Sequence, residues 1–188
     1  MLDYVALAAE CAPYVHTDTM LRVVSVESGG NPYAIGVVGA RLQRQPRSLE
    51  EAFATVDWLE ARGYNYSVGP AQVNKSNFKR HGLNRYTAFD ACENIKAGSA
   101  ILQECFARAS RNSPEQEALR QAFSCYYSGN FITGFKQGYV LKIVAGGRIK
   151  PVKAQSQNAN KPITPRIHAS PEELAGQGAA ASNSALLF

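Results

Sequence analysis

The chain has 188 residues, 45% of them hydrophobic, enough for one well-cored domain and a tail. Its net charge of +5 is moderate, and the basic residues are scattered apart from a mild cluster at Arg41, Arg44 and Arg47, with no stripe interleaved with aromatics; this argues against dedicated nucleic-acid binding and suits an anionic polymer. No apolar run approaches transmembrane length, and three histidines far apart, with no CxxC pair, give no reason to expect a metal or another cofactor.

The start carries an acid early, no basic n-region and too short an apolar run for a secretory signal. Either that export route is not used or the start is that of a mature chain. A first helix is expected over roughly 3–11, before Pro13. A second runs from Asp18 to Glu27 and stops at Ser28-Gly29-Gly30. Met20, Val23, Val24 and Glu27 share one face at helical spacing. A carboxylate therefore sits on the stripe that should be apolar, in the last turn. Burial and the negative end of the helix dipole both disfavour its ionised form, and a carboxyl kept protonated near neutral pH is what a general acid needs. The plain alternative is a helix-terminal glutamate bent back into water.

Residues 31–47 place Gly36, Gly39, Pro32 and Pro46 around the β-prone Ile35, Val37 and Val38, the pattern of a small hairpin. Ser48 to Glu51 is a capping box, and Ala52, Phe53, Val56 and Leu59 continue that helix to Gly63. Residues 64–74 read as loop and strand. Glu93 to about Arg111 is the clearest helix, with Ile101, Leu102, Cys105, Phe106 and Ala109 along one side. Ser113 caps the next, with Pro114 at its first position, and it runs to about Tyr127. A last helix is expected over 132–144. From 148 to 188 the chain holds four of the nine prolines and many Ala, Ser, Asn and Gln; this tail is expected to be disordered or partner-dependent.

The four cysteines, Cys11, Cys92, Cys105 and Cys125, leave two readings open: disulfides in an oxidising compartment, or small buried thiols. The apolar helix position of Cys105 favours a thiol there. Cys11 and Cys92 lie beside helix ends, which favours bridges.

Three distant segments look like parts of one site: Glu27 to Pro32, Val68 to Asn74, and Ala122 to Asn130. Their order and spacing resemble the lysozyme-like lytic transglycosylases, which carry a Glu-Ser pair, a Gly-Leu-Met-Gln-Ile-Asn type motif and an Ala-Tyr-Asn type motif. The resemblance is closest to the wall-degrading transglycosylases of bacterial type IV secretion systems, through Asn31 to Gly36, Phe89 to Ile95, Gly129 to Phe131 and Gly138 to Val140. It covers about residues 1–145.

This resemblance implies a mainly α, α+β lysozyme-like domain over 1–147, two-lobed and bundle-like, with a small β-hairpin and a groove for a sugar polymer. It implies that Glu27 is the single catalytic acid of a peptidoglycan lytic transglycosylase. Glu27 would protonate the bond between N-acetylmuramic acid and N-acetylglucosamine, then act as base while the C6 hydroxyl closes onto C1. Ser28, Gln72, Asn74, Tyr126 and Tyr127 would be the substrate-binding set. Ser28 is placed to bond the Glu27 carboxyl or the bond being cleaved, and Gln72 to donate to a sugar acetamide. Asn74 is better suited to holding its own loop, and the Tyr126 hydroxyl is placed to reach Glu27. Two departures stand out: Pro70-Ala71 where the family has Leu-Met, and Tyr127 where it has Asn.

The two-carboxylate plan needs a second acid across the bond. Between Pro32 and Asn74 the acids are Glu50, Glu51, Asp57 and Glu60, all on the expected 48–62 helix. The implied partners are peptidoglycan strands and, through 148–188, secretion-system components; the implied compartment is the periplasm. A lysozyme-type hydrolase and a catalytically silent wall-binding module are the alternatives.

Overall fold

The computed structural model describes residues 2–146, 149 and 161–167. Helix α1 (Tyr4–Cys11) starts on Asp3, whose carboxylate accepts from the Val5 and Ala6 amides. Helix α2 (Thr17–Ser28) ends at Gly29, where φ of +62° gives the left-handed turn that only glycine adopts without strain. Its stripe of Met20, Val23 and Val24 is buried, and Glu27 is buried with it.

Strands β1 (Ile35–Val37) and β2 (Ala40–Leu42) form the hairpin expected within 31–47. Helix α3 (Leu49–Glu60) opens on Ser48, whose hydroxyl accepts from the Glu51 amide. Strands β3 (Tyr66–Val68) and β4 (Val73–Asn74) follow, with the bend at 69–72 between them. After short 3-10 turns comes α4 (Ala91–Ala109), capped by Asp90, then α5 (Glu115–Ser128). Pro114 takes the cap position of α5, one place earlier in the helix than expected. The single helix expected over 132–144 is instead two, α6 (Thr133–Lys136) and α7 (Tyr139–Ala145). Gly138, at φ +72°, breaks the ladder between them and turns Tyr139 into the core.

The protein is thus mainly helical, with α4 packed between α1 and α5 and a small antiparallel sheet beside them. The sheet order is β4-β3-β1-β2-β5, where β5 is Pro165–Ile167. Of residues 148–188, expected to be disordered, only 149 and 161–167 are described; the rest lie outside the described residues. The 161–167 segment lies along β2, in the register Leu42↔Pro165, Arg41↔Arg166 and Ala40↔Ile167. Ile163 is buried in the hydrophobic core and its amide donates to Thr55 Oγ1 at 3.0 Å.

All four cysteines are paired, Cys11 with Cys92 and Cys105 with Cys125. The first bridge ties α1 to α4 and the second ties α4 to α5. The thiol expected at Cys105 is therefore corrected: its apolar face is the one on which α5 packs, and Cys125 faces it with the Cα atoms 5.7 Å apart. Among the described residues no helix is long and apolar enough to cross a membrane, and no cluster of His, Cys, Asp or Glu could hold a metal ion.

Candidate active site

Glu27 lies in the last turn of α2, fully buried, at the floor of a groove. Ser28 and Gln72 line the same groove, and the β1–β2 hairpin and the residues just after it form its other wall. Glu27 is the one carboxylate among the lining residues. Its Oε1 accepts a short hydrogen bond from the Tyr139 hydroxyl at the start of α7. Burial first, then the nearby Glu27 charge, pushes the Tyr139 phenol well above its ordinary value. Tyr139 is therefore a neutral donor throughout any working pH.

The tyrosine expected on Glu27 was Tyr126, and the structure differs. Tyr126 is buried and its hydroxyl donates to the Ala71 carbonyl, tying α5 to the 69–72 bend. Tyr127 stacks on Tyr139 with ring centroids 4.6 Å apart, and its hydroxyl donates to Gln137 Oε1. So the residue at the family's Asn position braces the tyrosine that holds the acid and is not among the lining residues of the groove. Reading from sequence missed Tyr139. Its one local signal was the Gly138-Tyr139-Val140 ending, since a glycine able to break a helix just before an aromatic reorients that ring.

Ser28 differs from the first of its two expected contacts. Its hydroxyl donates to the Val24 carbonyl and accepts from the Gly30 amide, holding the end of α2 rather than the carboxyl beside it. Asn74 accepts from the Ser76 amide and hydroxyl and bonds Ser67, so it holds its own loop.

Gln72 is the most constrained residue of the groove. Among the described residues it is the one non-glycine residue with positive φ, at +47°, and it is buried. Its Nε2 donates to the Ala34 and Gly69 carbonyls at 3.0 Å each, which fixes the amide's orientation. Its Oε1 is buried without a partner among the described residues. The expected donor to a sugar acetamide is therefore an acceptor, ready for an N–H or O–H entering the groove.

The bend carrying Gln72 is held from behind by Asn94 of α4, which sequence reading left without a role. Its Oδ1 accepts from the Ala71 amide, and its Nδ2 donates to the Val68 and Ala88 carbonyls. The approach is close enough that a Cβ on Gly69 would lie 2.4 Å from Asn94, and one on Gly98 would lie 2.6 Å from Ala71. Two glycines and one asparagine thus set where Gln72 sits.

None of the four acids of the 48–60 region is among the residues lining the groove. Arg44 grips Glu51 through two hydrogen bonds and holds its carboxyl down at about 2. Asp57 pairs with Arg85, and Glu60 accepts from the Tyr66 hydroxyl. Glu50 lies in the first turn of α3, where backbone and Ser48 hydrogen bonds lower its pKa.

A family model described as the transglycosylase SLT domain matches residues 5–141. The chain is 47% identical over 188 residues to the type IV secretion system protein virB1 of Brucella suis, covering 95% of this chain and 75% of that one. The protein of the same name from Brucella abortus is 48% identical over the same span. Protein virB1 of Rhizobium radiobacter is 36% identical over 139 residues, 73% of this chain and 57% of that relative. No solved structure matches.

Proposed function

The chain belongs to the SLT transglycosylase family, and from that premise we propose that it is a peptidoglycan lytic transglycosylase with Glu27 as its single catalytic acid. It cleaves the β-1,4 bond between N-acetylmuramic acid and N-acetylglucosamine, in the periplasm, and opens the wall locally for a type IV secretion apparatus, the kind of system named for its Brucella relatives. One observation carries the reading. A single, buried carboxylate lies on the groove floor, anchored by a tyrosine, with no second acid opposite among the described residues.

The chemistry follows from that arrangement. Tyr139 donates to Oε1 and orients the carboxyl. Glu27 gives its proton to the glycosidic oxygen as the C1–O bond breaks, and the departing sugar leaves as an alcohol. Charge developing at C1 has no protein nucleophile to meet. The substrate's own groups supply it: the acetamido oxygen shields C1, then the C6 hydroxyl closes on it. The Glu27 carboxylate takes the C6 hydroxyl proton, so the enzyme ends as it began and no water is consumed. The unpartnered Gln72 Oε1 accepts from the acetamide N–H and orients that ring.

Mass spectrometry of peptidoglycan digested with the protein tests the reading. Fragments one water lighter than hydrolysed ends are expected, with the rate down about a hundredfold or more in Glu27→Gln. Hydrated reducing ends would mean a lysozyme-type hydrolase. Undiminished release by Glu27→Gln would remove Glu27 from its role, and no release by either protein would leave a wall-binding module.

A further inference from the structure

We propose that Arg41 is a substrate-reading residue of the groove, taking a carboxylate of the short peptides borne by wall glycan. The inference rests on the peptidoglycan reading above and adds to it a preference for strands that still carry their peptides.

The polar side chains on the hairpin wall of the groove have different fates. Arg44 is neutralised by Glu51, with contacts of 2.8 and 2.6 Å, and also donates to the Gln45 carbonyl. Gln45 is closed on the Ile35 backbone, accepting from its amide and donating to its carbonyl. Gln43 donates to Thr164. Arg41 lines the groove, is exposed, and has no hydrogen bond or ion pair among the described residues. Its flanking residues Ala40 and Leu42 are buried, so the hairpin fixes its backbone while the guanidinium stays available.

Glu27 lies in the same groove, so a ligand reaching it passes Arg41, the arginine of this wall that has no carboxylate partner among the described residues. The glycan sugars at the cleaved bond are themselves uncharged apart from lactyl groups, which are amide-linked when peptides are attached. The carboxylates within reach are then those of the peptides, and a guanidinium fork matches them in geometry and charge.

The test compares kcat/KM on peptide-bearing glycan strands with kcat/KM on the same strands stripped of peptide by an amidase and with the freed lactyl carboxylates converted to neutral amides. The wild-type ratio should favour peptide-bearing strands. In Arg41→Gln that ratio should fall about fivefold, the worth of one partly exposed charge pair, while Arg41→Lys keeps most of it. The wild-type preference should also shrink as salt is raised. A ratio of one in the wild type, or a ratio unchanged in Arg41→Gln, would overturn the proposal while leaving transglycosylase activity in place. A wild-type protein that cleaves neither strand would instead remove the reading on which the proposal stands.

Discussion

Glu27 and Tyr139 are 112 residues apart in the chain, and their contact decides how the acid is held. The acid was legible because its oddity is local: a carboxylate at the apolar position of a helical stripe, just before a glycine stop. The tyrosine was not, because Tyr126 occupies the family's tyrosine position, Tyr139 carries no local sign of a role beyond the glycine before it, and only tertiary packing tells which hydroxyl meets the carboxylate. Tyr139→Phe keeps the ring, its stack on Tyr127 and its burial, and removes only the donor. A hydrogen bond to a charged group is worth about 1.5–3 kcal/mol, so turnover should fall roughly tenfold to a hundredfold. KM should hardly change, because Tyr139 is not among the residues lining the groove. Steady-state kinetics on isolated glycan strands check this. Since the Tyr139 phenol is held well above its ordinary value, it does not ionise as pH rises through the neutral and mildly alkaline range. The wild-type rate should therefore show no loss there attributable to this residue. Loss of affinity with unchanged turnover in Tyr139→Phe would contradict the assigned role.

At the scale of elements, the helices followed from caps and periodicity, and the hairpin from its glycines and β-branched run. The failures came where one element is defined by another. The 132–144 helix breaks because Gly138 is needed to turn α7 against α2 and α5. Cys105 reads as a buried thiol until α5 brings Cys125 onto the same face. The 69–72 bend has the same character, since its backbone is set by α4 behind it. Asn94 is fully buried and satisfies three backbone groups, two of them in the bend and its flanking strand. Asn94→Ala leaves the Ala71 amide and two carbonyls without partners, at about 1 kcal/mol or more for each. The expected result is a loss of roughly 3 kcal/mol in chemical denaturation. Activity should fall further than stability alone explains, because Gln72 loses its left-handed placement. Full activity per folded molecule in Asn94→Ala would show that the bend holds itself.

The whole molecule raises the question of where the catalytic domain stops. Composition sets a boundary near 147, since the following residues carry too little apolar surface to build a core. Yet Ile163 is buried in that core, and the strand at 165–167 completes the sheet whose next strand, β2, walls the groove. A single isoleucine between a proline and a threonine is invisible to averages of composition, though its burial is worth about 1.5–3 kcal/mol. Two truncations separate the roles of the tail. A chain ending after residue 167 should melt with the full-length protein and keep its wall-cleaving activity. A chain ending after residue 160 should lose about 2 kcal/mol, lowering Tm by roughly 4–8 °C, and should cleave more slowly as β2 loses its outer neighbour. The proposed contact with secretion components is best sought in the 168–188 deletion, which spares the sheet. Unchanged secretion and partner binding in that deletion would take residues 168–188 out of the proposed contact. Equal melting of both truncations would mean that the strand adds nothing to the fold.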